Sequence, residues 1–379
     1  MKKLAIVTTH PIQYYAPVFK LLAVQLELKV FYTAGKSQTG YDHGFRQHVE
    51  WNVPLLEGYN FEFIENPAKD PGSHHFNGIA GTNILARIED FDPDVLLVYG
   101  WAYKDHLKVL RHFKNKVPIL FRGDSTLTDR LPFWKSTLKS LLLRWVYSHI
   151  NHALYVGMQN KLYFKKYGIK EAQLSFAPHA IDNERFADSR AAEAMDLRES
   201  LGIMPSAILV LFAGKFEPKK DPMALVDAFL SLENEHVELL FTGSGMLEQE
   251  LKSKARASNN HKIHFLPFQN QQQMPVFYHA CDLFCLPSKG PGETWGLAIN
   301  EAMAAGKAIL TSNCTGAAAD LVDDTNGKVF DVSDPTDLKR KLEELTQHKH
   351  LLKKMGEVSG IKIKKWNFET QVKEIIAHV

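Results

Sequence analysis

The sequence predicts two doubly wound α/β domains, each a parallel sheet with helices on both faces. Three observations point there. Apolar runs of strand length alternate with longer segments of helical period, in two series. A stretch with no good strand, residues 178–206, separates the series. The 379 residues suffice for about two domains at ~100–200 residues each.

The first series reads as strands at Leu4–Thr8, Leu28–Tyr32, Val95–Tyr99, Ile119–Arg122 and Leu154–Val156. Between them lie helical patterns at Ala16–Leu26, Ile79–Ile88, Tyr103–Phe113 and Trp134–His149. Continuous apolar strands of this kind suit a parallel sheet buried on both faces. The second series places strands at Ile208–Ala213, Val237–Thr242, Ile263–Leu266, Leu283–Leu286 and Ala308–Thr311, again with helices between. Trp366, Phe368, Val372, Ile375 and Ile376 then recur at helical spacing and predict a terminal helix over Lys364–Val379. The expected domains are 1–177, 178–361 and a closing helical segment, 362–379.

Composition narrows the function classes. Hydrophobic residues make up 45% and charged residues 23%, which excludes a largely disordered chain. Lys+Arg total 45 against Asp+Glu 43, so net charge identifies no nucleic-acid partner, and none is expected. Three cysteines in so long a chain exclude a disulfide scaffold; Cys281, Cys285 and Cys314 are read as buried thiols of a reducing compartment. His74-His75 shows no metal-ligand spacing and is read, with the other histidines, as loop or solvent residues. The apolar run after Met1-Lys2-Lys3 ends at Val7, too short for an export signal, and no segment approaches the ~20 apolar residues of a spanning helix. A cytoplasmic protein is expected, peripheral at most on the inner face of the cell membrane. Residues 101–185 do carry 15 Lys+Arg against 6 Asp+Glu. Within them Phe133, Trp134, Leu138, Leu141, Leu142 and Trp145 alternate with Lys135, Lys139 and Arg144. That pattern reads as a domain helix with a wet basic face, or as a weak contact for anionic lipid headgroups.

Chemistry concentrates in the second half. The stretch from Pro287 to Gly306 leaves a strand, crosses a Gly/Pro loop and enters an Ala-rich helix. The first backbone amides of that helix, at Gly296 and Leu297, suit a phosphate. Glu293 lies just before the helix and Glu301 about two turns into it, where carboxylates would accept hydrogen bonds from sugar hydroxyls. Taken singly, Glu293 is also a favourable charge at a helix N-terminus and Glu301 a helix-surface residue. Gly214, Lys215 and Lys220 form a turn after a strand whose two cations would reach a diphosphate, or a solvated basic loop. Gly243 and Gly245 form a second glycine turn. No Asp-x-Asp metal motif stands near either stretch, so no metal or other cofactor is expected.

In this order, Gly214-Lys215-x4-Lys220, Gly243-x-Gly245, Ala280-Cys281-Asp282-Leu283, Glu293-x7-Glu301, Ala302–Gly306, Gly316-Ala317 and Asn326-Gly327 resemble the group 1 glycosyltransferases of family 4. The resemblance covers about residues 207–347. It implies the GT-B fold, two Rossmann-like domains facing a cleft with the terminal helix crossing back to the first domain. It implies a retaining, metal-independent transfer of a sugar from a nucleoside diphosphate donor to a saccharide or lipid-linked saccharide acceptor, in envelope or polysaccharide synthesis. It puts Lys215 and Lys220 on the diphosphate, Glu293 on donor-sugar hydroxyls and Glu301 on the ribose.

The first half departs from that pattern. The loop Thr9–Pro17 has no glycine, and Phe121-Arg122-Gly123-Asp124 lacks a histidine before the aspartate. His10 and Asp124, both after strands, are the remaining catalytic candidates there; each is also readable as a turn or cap residue. Two other readings stand beside transfer: a nucleotide-sugar epimerase on the same architecture, and a non-catalytic nucleotide-sugar-binding subunit.

Overall fold

The computed structural model describes residues 1–36, 41–42, 44–127 and 132–379; the side chains of Tyr41 and Phe133 lie outside that description. The chain forms two compact units. The first contains residues 1–41, 53–179 and 368–379, and the second residues 42–52 and 180–367. Residues 42–52, inside the first domain by sequence pattern, thus group with the second unit.

Strands are numbered along the chain. The first unit holds β1 (Lys3–Thr8), β2 (Glu27–Tyr32), β5 (Asn60–Phe63), β6 (Val95–Tyr99), β7 (Ile119–Arg122), β8 (His152–Tyr155) and β9 (Leu174–Phe176). β3 (Tyr41–Asp42) and β4 (Gln47–His48) form a separate two-strand ribbon. The seven strands make one sheet in the order β5-β2-β1-β6-β7-β8-β9, parallel throughout. Alternation along β1 explains its two cores. Ala5 and Val7 face one side with Phe31, Val98, Phe121 and Phe164, while Leu4 and Ile6 face the other with Phe19, Val30 and Leu97.

That second face explains why the chain returns. Val372 and Ile375 of the terminal helix Phe368–Ile376 fill it beside Phe19 and Leu22. Polar ties finish the seam: Lys2 Nζ donates to the Val379 carbonyl at 2.6 Å, and Ser175 Oγ lies 2.8 Å from His378 Nε2. The terminal helix is shorter than the pattern implied. Ile363–Lys365 is a 3-10 turn, and the α-helix begins only at Phe368.

The second unit contains β10 (Ile208–Ala213), β11 (Val237–Thr242), β12 (Ile263–Leu266), β13 (Leu283–Leu286), β14 (Ala308–Ser312) and β15 (Gly327–Phe330). They pair in parallel in the order β12-β11-β10-β13-β14-β15. Phe212, Phe241, Leu283 and Leu310 anchor one face against Leu225, Phe229 and Leu342. In both sheets the connections put every strand's carboxyl end on one side, where ligands of such sheets bind.

The strands missing from the sequence reading are β5, β9 and β15, each at an outer edge of its sheet, and the small ribbon. Edge strands are short and half-exposed, so they lack the continuous apolar run of a central strand. Cys281 and Cys285 are buried, and burial pushes the Cys281 thiol up to about 12; Cys314, expected to be buried too, is only partly covered.

Buried His106 ties the first sheet's carboxyl edge together. Its Nδ1 lies 3.1 and 3.2 Å from the Gly100 and Tyr99 carbonyls, and its Nε2 2.7 Å from Thr33 Oγ1. Burial lowers its pKa from 6.5 to about 4, only partly countered by those carbonyls. The unfolded chain therefore binds a proton that the folded unit refuses. Stability from this site is fully present above pH ~6.5 and declines as pH falls toward ~4, by ~3 kcal/mol at the limit. Urea melts between pH 7.5 and 4.5 should show this loss, and His106→Gln should flatten it; an equal acid slope in the variant assigns the loss elsewhere.

Candidate active site

The second unit collects its functional side chains on the turns after β10, β11 and β13. Gly214 follows β10 and Gly243 follows β11, and the two turns touch: a Cβ on Gly243 would run into the Gly214 carbonyl oxygen. The Phe216 amide donates to the Ser244 carbonyl at 2.9 Å, locking the pair. After β13 the loop runs through buried Ser288 and Glu293 to Gly296, which caps the helix Leu297–Ala304 at φ +97°. A side chain there would be strained, and its Cβ would meet Thr315 and Leu286 at 2.9 and 3.0 Å. The first amides of the helix have no carbonyl partner within the helix itself. Gly316 and Ala317 hold the loop from behind, donating to the Glu293 and Trp295 carbonyls at 3.1 and 2.9 Å.

Two carboxylates are fixed on this frame. Glu293 is 6% exposed and accepts from Ser288 Oγ at 3.1 Å and from Lys220 Nζ at 2.5 Å. Lys220, expected at a diphosphate, thus sits directly on the carboxylate expected at the sugar. Glu301 is 4% exposed, not a helix-surface residue, and is the fifth residue of its helix, little more than one turn in. Tyr278 donates to it at 2.7 Å and Gln271 at 3.4 Å. A buried, oriented carboxylate costs several kcal/mol to desolvate unless partnered, which separates both positions from surface charges.

Lys215 makes a contact that the sequence did not foreshadow. Its ammonium lies 2.8 Å from the Asp42 carboxylate and 5.1 Å from the Phe45 ring centroid. Asp42 also caps its own turn, accepting from the Gly44 and Phe45 amides at 2.8 and 3.0 Å. Burial alone would raise the Asp42 pKa; the bonds from Lys215 and the two amides outweigh it and hold the carboxyl below its ordinary range. The Phe45 carbonyl accepts from Ser244 Oγ at 3.0 Å, and Phe45 and Trp51 pack edgewise on Phe268. Residues 42–52 therefore form a strap over both glycine turns. No motif marks Asp42, because its role comes from a pairing 173 positions away in sequence.

The first unit has its own pocket at the carboxyl ends of its strands. Thr8, Thr9, Tyr15, Tyr99, Tyr103, Arg122, Asp124 and His179 are among its walls. Arg122 is structural: its guanidinium donates to the Ala177 and Pro178 carbonyls at 2.6 and 3.1 Å. Asp124 stands 3.9 Å from His179 Nε2. Burial lowers the His179 pKa, with Arg122 adding to the effect and Asp124 opposing it. Burial raises Tyr99 to about 12 and also raises Tyr15 and Tyr103, so all three phenols remain donors at neutral pH. His10 is not among the lining residues; it reaches the pocket wall through Thr9, whose Oγ1 is 2.9 Å from His10 Nδ1. His179 is the residue that sequence reading passed over, because it sits in the strandless stretch 178–206 between the two series. His74 and His75, read as unrelated to metal binding, lie together with Asp70 in a loop of this unit.

Comparisons with known proteins bear on these two sites differently. Residues 194–359 match the family described as Glycosyl transferases group 1. That segment of the chain is similar to the group 1 glycosyl transferases. A D-inositol 3-phosphate glycosyltransferase of Streptomyces bingchenggensis is 30% identical over 206 residues, 51% of this chain and 44% of that protein. The chain thus spans under half the length of this curated relative. An uncharacterized glycosyltransferase of Methanocaldococcus jannaschii is 22% identical over 76% of this chain and 89% of its own length. Among solved structures, Anabaena Alr3699/HepE in complex with UDP and glucose aligns over 100% of this chain and 99% of its own, with TM-score 0.72 and 17% identity. WaaG, a glycosyltransferase involved in lipopolysaccharide biosynthesis, aligns over 98% of each chain with TM-score 0.67 and 15% identity. The fold is the two-sheet GT-B architecture of these proteins.

The strap sets a direct expectation. Asp42→Asn keeps the turn's hydrogen bonds but removes the charge that occupies Lys215. Inorganic pyrophosphate should bind the variant ~2–5-fold more tightly, the range of a partly exposed ion pair. Unchanged or weaker binding by calorimetry would show that Asp42 does not compete with a diphosphate.

Proposed function

We propose that this protein is a retaining glycosyltransferase that moves a sugar from a nucleoside diphosphate donor to a hydroxyl of a saccharide or lipid-linked saccharide. One observation carries the reading: Lys220 paired with buried Glu293 at the entry of the helix Leu297–Ala304, beside the interlocked glycine turns. A cation, the first amides of a helix and an oriented carboxylate in one place match a sugar diphosphate group by group. Alr3699/HepE has been solved with UDP-glucose, which makes UDP-sugars the first donors to test.

In the proposed reaction the bond from the sugar's anomeric carbon to the diphosphate oxygen breaks, and the acceptor oxygen bonds the same carbon on the same face. The acceptor proton passes to the departing phosphate. Negative charge grows on that phosphate, where Lys215, Lys220 and the amides of Gly296 and Leu297 stabilise it without a metal ion. Glu293 hydrogen-bonds donor-sugar hydroxyls once Lys220 turns to the phosphate. Glu301, held by Tyr278 and Gln271, accepts from the ribose. In the first unit, the pocket with Asp124, His179 and three neutral phenols receives the acceptor, and His10 borders it.

A lipid-linked acceptor also fits the helix Phe133–Tyr147. Among the described side chains, only Leu143, Val146 and Tyr147 of its large apolar residues are buried; Trp134, Leu138, Leu141, Leu142 and Trp145 are 43–65% exposed. They form one stripe at helical spacing, with Lys135 and Lys139 beside it. An apolar wedge flanked by cations fits the anionic, cytoplasmic leaflet of a membrane better than water. Among the described residues no helix is long and apolar enough to cross a membrane.

Incubation with a panel of nucleotide sugars tests the reading. Acceptor-stimulated release of free diphosphate supports transfer, whereas an isomerised donor would indicate an epimerase and binding without turnover a non-catalytic subunit. Glu293→Gln should nearly abolish transfer in a folded protein. Lys220→Ala should weaken donor binding by ~1.5–3 kcal/mol, and a chelator should leave donor affinity unchanged. Trp134→Ala with Leu141→Ala should reduce sedimentation with anionic vesicles while sparing turnover on a soluble acceptor. A wild type without preference for anionic vesicles at low salt would remove the membrane assignment.

A further inference from the structure

The first unit carries a second constellation of ligand atoms, far in character from the pocket of phenols. Asp70, His74 and His75 belong to one loop, and one ligand atom of each lies within 4.8 Å of the others. Asp70 Oδ2 is 3.2 Å from His74 Nε2 and 3.2 Å from His75 Nε2. The Asp70 backbone carbonyl is 3.1 Å from His75 Nε2 as well. With metal–ligand bonds of about 2.0–2.1 Å, the edge of a tetrahedral site is about 3.3 Å. Both imidazole–carboxylate separations match that edge.

We infer that Asp70, His74 and His75 form a binding site for a divalent transition cation of the zinc class. Two imidazoles and a carboxylate are the borderline donor set that such ions prefer over magnesium or calcium, which favour all-oxygen shells. Water completes the coordination, since Asp70 and His74 are exposed.

The loop is built to hold this arrangement. Gly72 leaves room for the His74 ring; a Cβ there would meet Nδ1 at 2.6 Å and Cε1 at 2.8 Å. The Gly72 amide donates to the Gly78 carbonyl at 3.0 Å, the Gly78 amide returns to the His75 carbonyl at 3.0 Å, and Asn66 Nδ2 donates to Gly78 at 2.8 Å. Tyr103, a wall of the pocket, donates its hydroxyl to the Ser73 carbonyl at 3.2 Å. A cation held by residues 70, 74 and 75 would clamp the turn that carries Ser73 and so brace Tyr103. The role is positional and independent of how donor sugars are handled in the second unit.

Titration of zinc chloride into the metal-stripped full chain tests the site, with cobalt as a spectroscopic stand-in. One saturable equivalent is expected, together with the intense visible bands of low-coordinate cobalt. His74→Ala and His75→Ala should each weaken zinc at least tenfold and remove the cobalt bands, while thermal melts of the stripped variants match the stripped parent. The chain contains 17 histidines, so the double variant decides where binding resides. An equivalent that persists in the double variant, or no saturable binding by the parent, overturns the site.

Discussion

Everything functional in this chain depends on parallel strand pairing. A parallel sheet sends every connection back across a face, so all its strands end on the same side. In the second unit that edge receives Gly214 after β10, Gly243 after β11 and the Ser288–Gly296 loop after β13. Residues far apart in sequence become neighbours there without any binding energy being spent to gather them. The first unit repeats the device with Thr8 and Thr9 after β1, Gly100 after β6, and Gly123 and Asp124 after β7.

Within the second unit, sterics and charge act together. The Gly214 and Gly243 turns interlock only because Gly243 carries no side chain where it meets the Gly214 carbonyl. That leaves a shallow, backbone-lined floor, and the cations and carboxylates stand around it. The buried Glu293 is stable because Lys220 and Ser288 satisfy it, and Glu301 because Tyr278 and Gln271 do. Lys215 is likewise held, by Asp42 of the strap. Lys215 and Lys220 are thus each partnered by a carboxylate, which keeps a strongly polar site folded at modest electrostatic cost.

The first unit is organised by burial of neutral groups. Burial lowers the His106 pKa to about 4 and pushes the phenols of Tyr15 and Tyr99 further above their ordinary range. Arg122 spends its donors on the carbonyls of Ala177 and Pro178, fixing the end of the segment that brings His179 beside Asp124. The loop with Asp70, His74 and His75 meets this wall through Tyr103.

By itself the sequence determined the fold class, the central strands of both sheets and the order of the motifs in the second half. Those follow from local signals: unbroken apolar runs, glycines at strand ends and a helix entry at Gly296. It could not show the edge strands β5, β9 and β15, whose residues are half-exposed and carry no clear period. It identified Glu293 and Glu301 by spacing but not their burial, and it read the apolar positions of the helix Phe133–Tyr147 without showing that most face outward. Asp42 on Lys215, His179 beside Asp124 and the joining of Asp70 with His74 and His75 were decided by tertiary structure. Each depends on where a loop is carried by the strands around it, and side-chain type and local spacing hold no record of that.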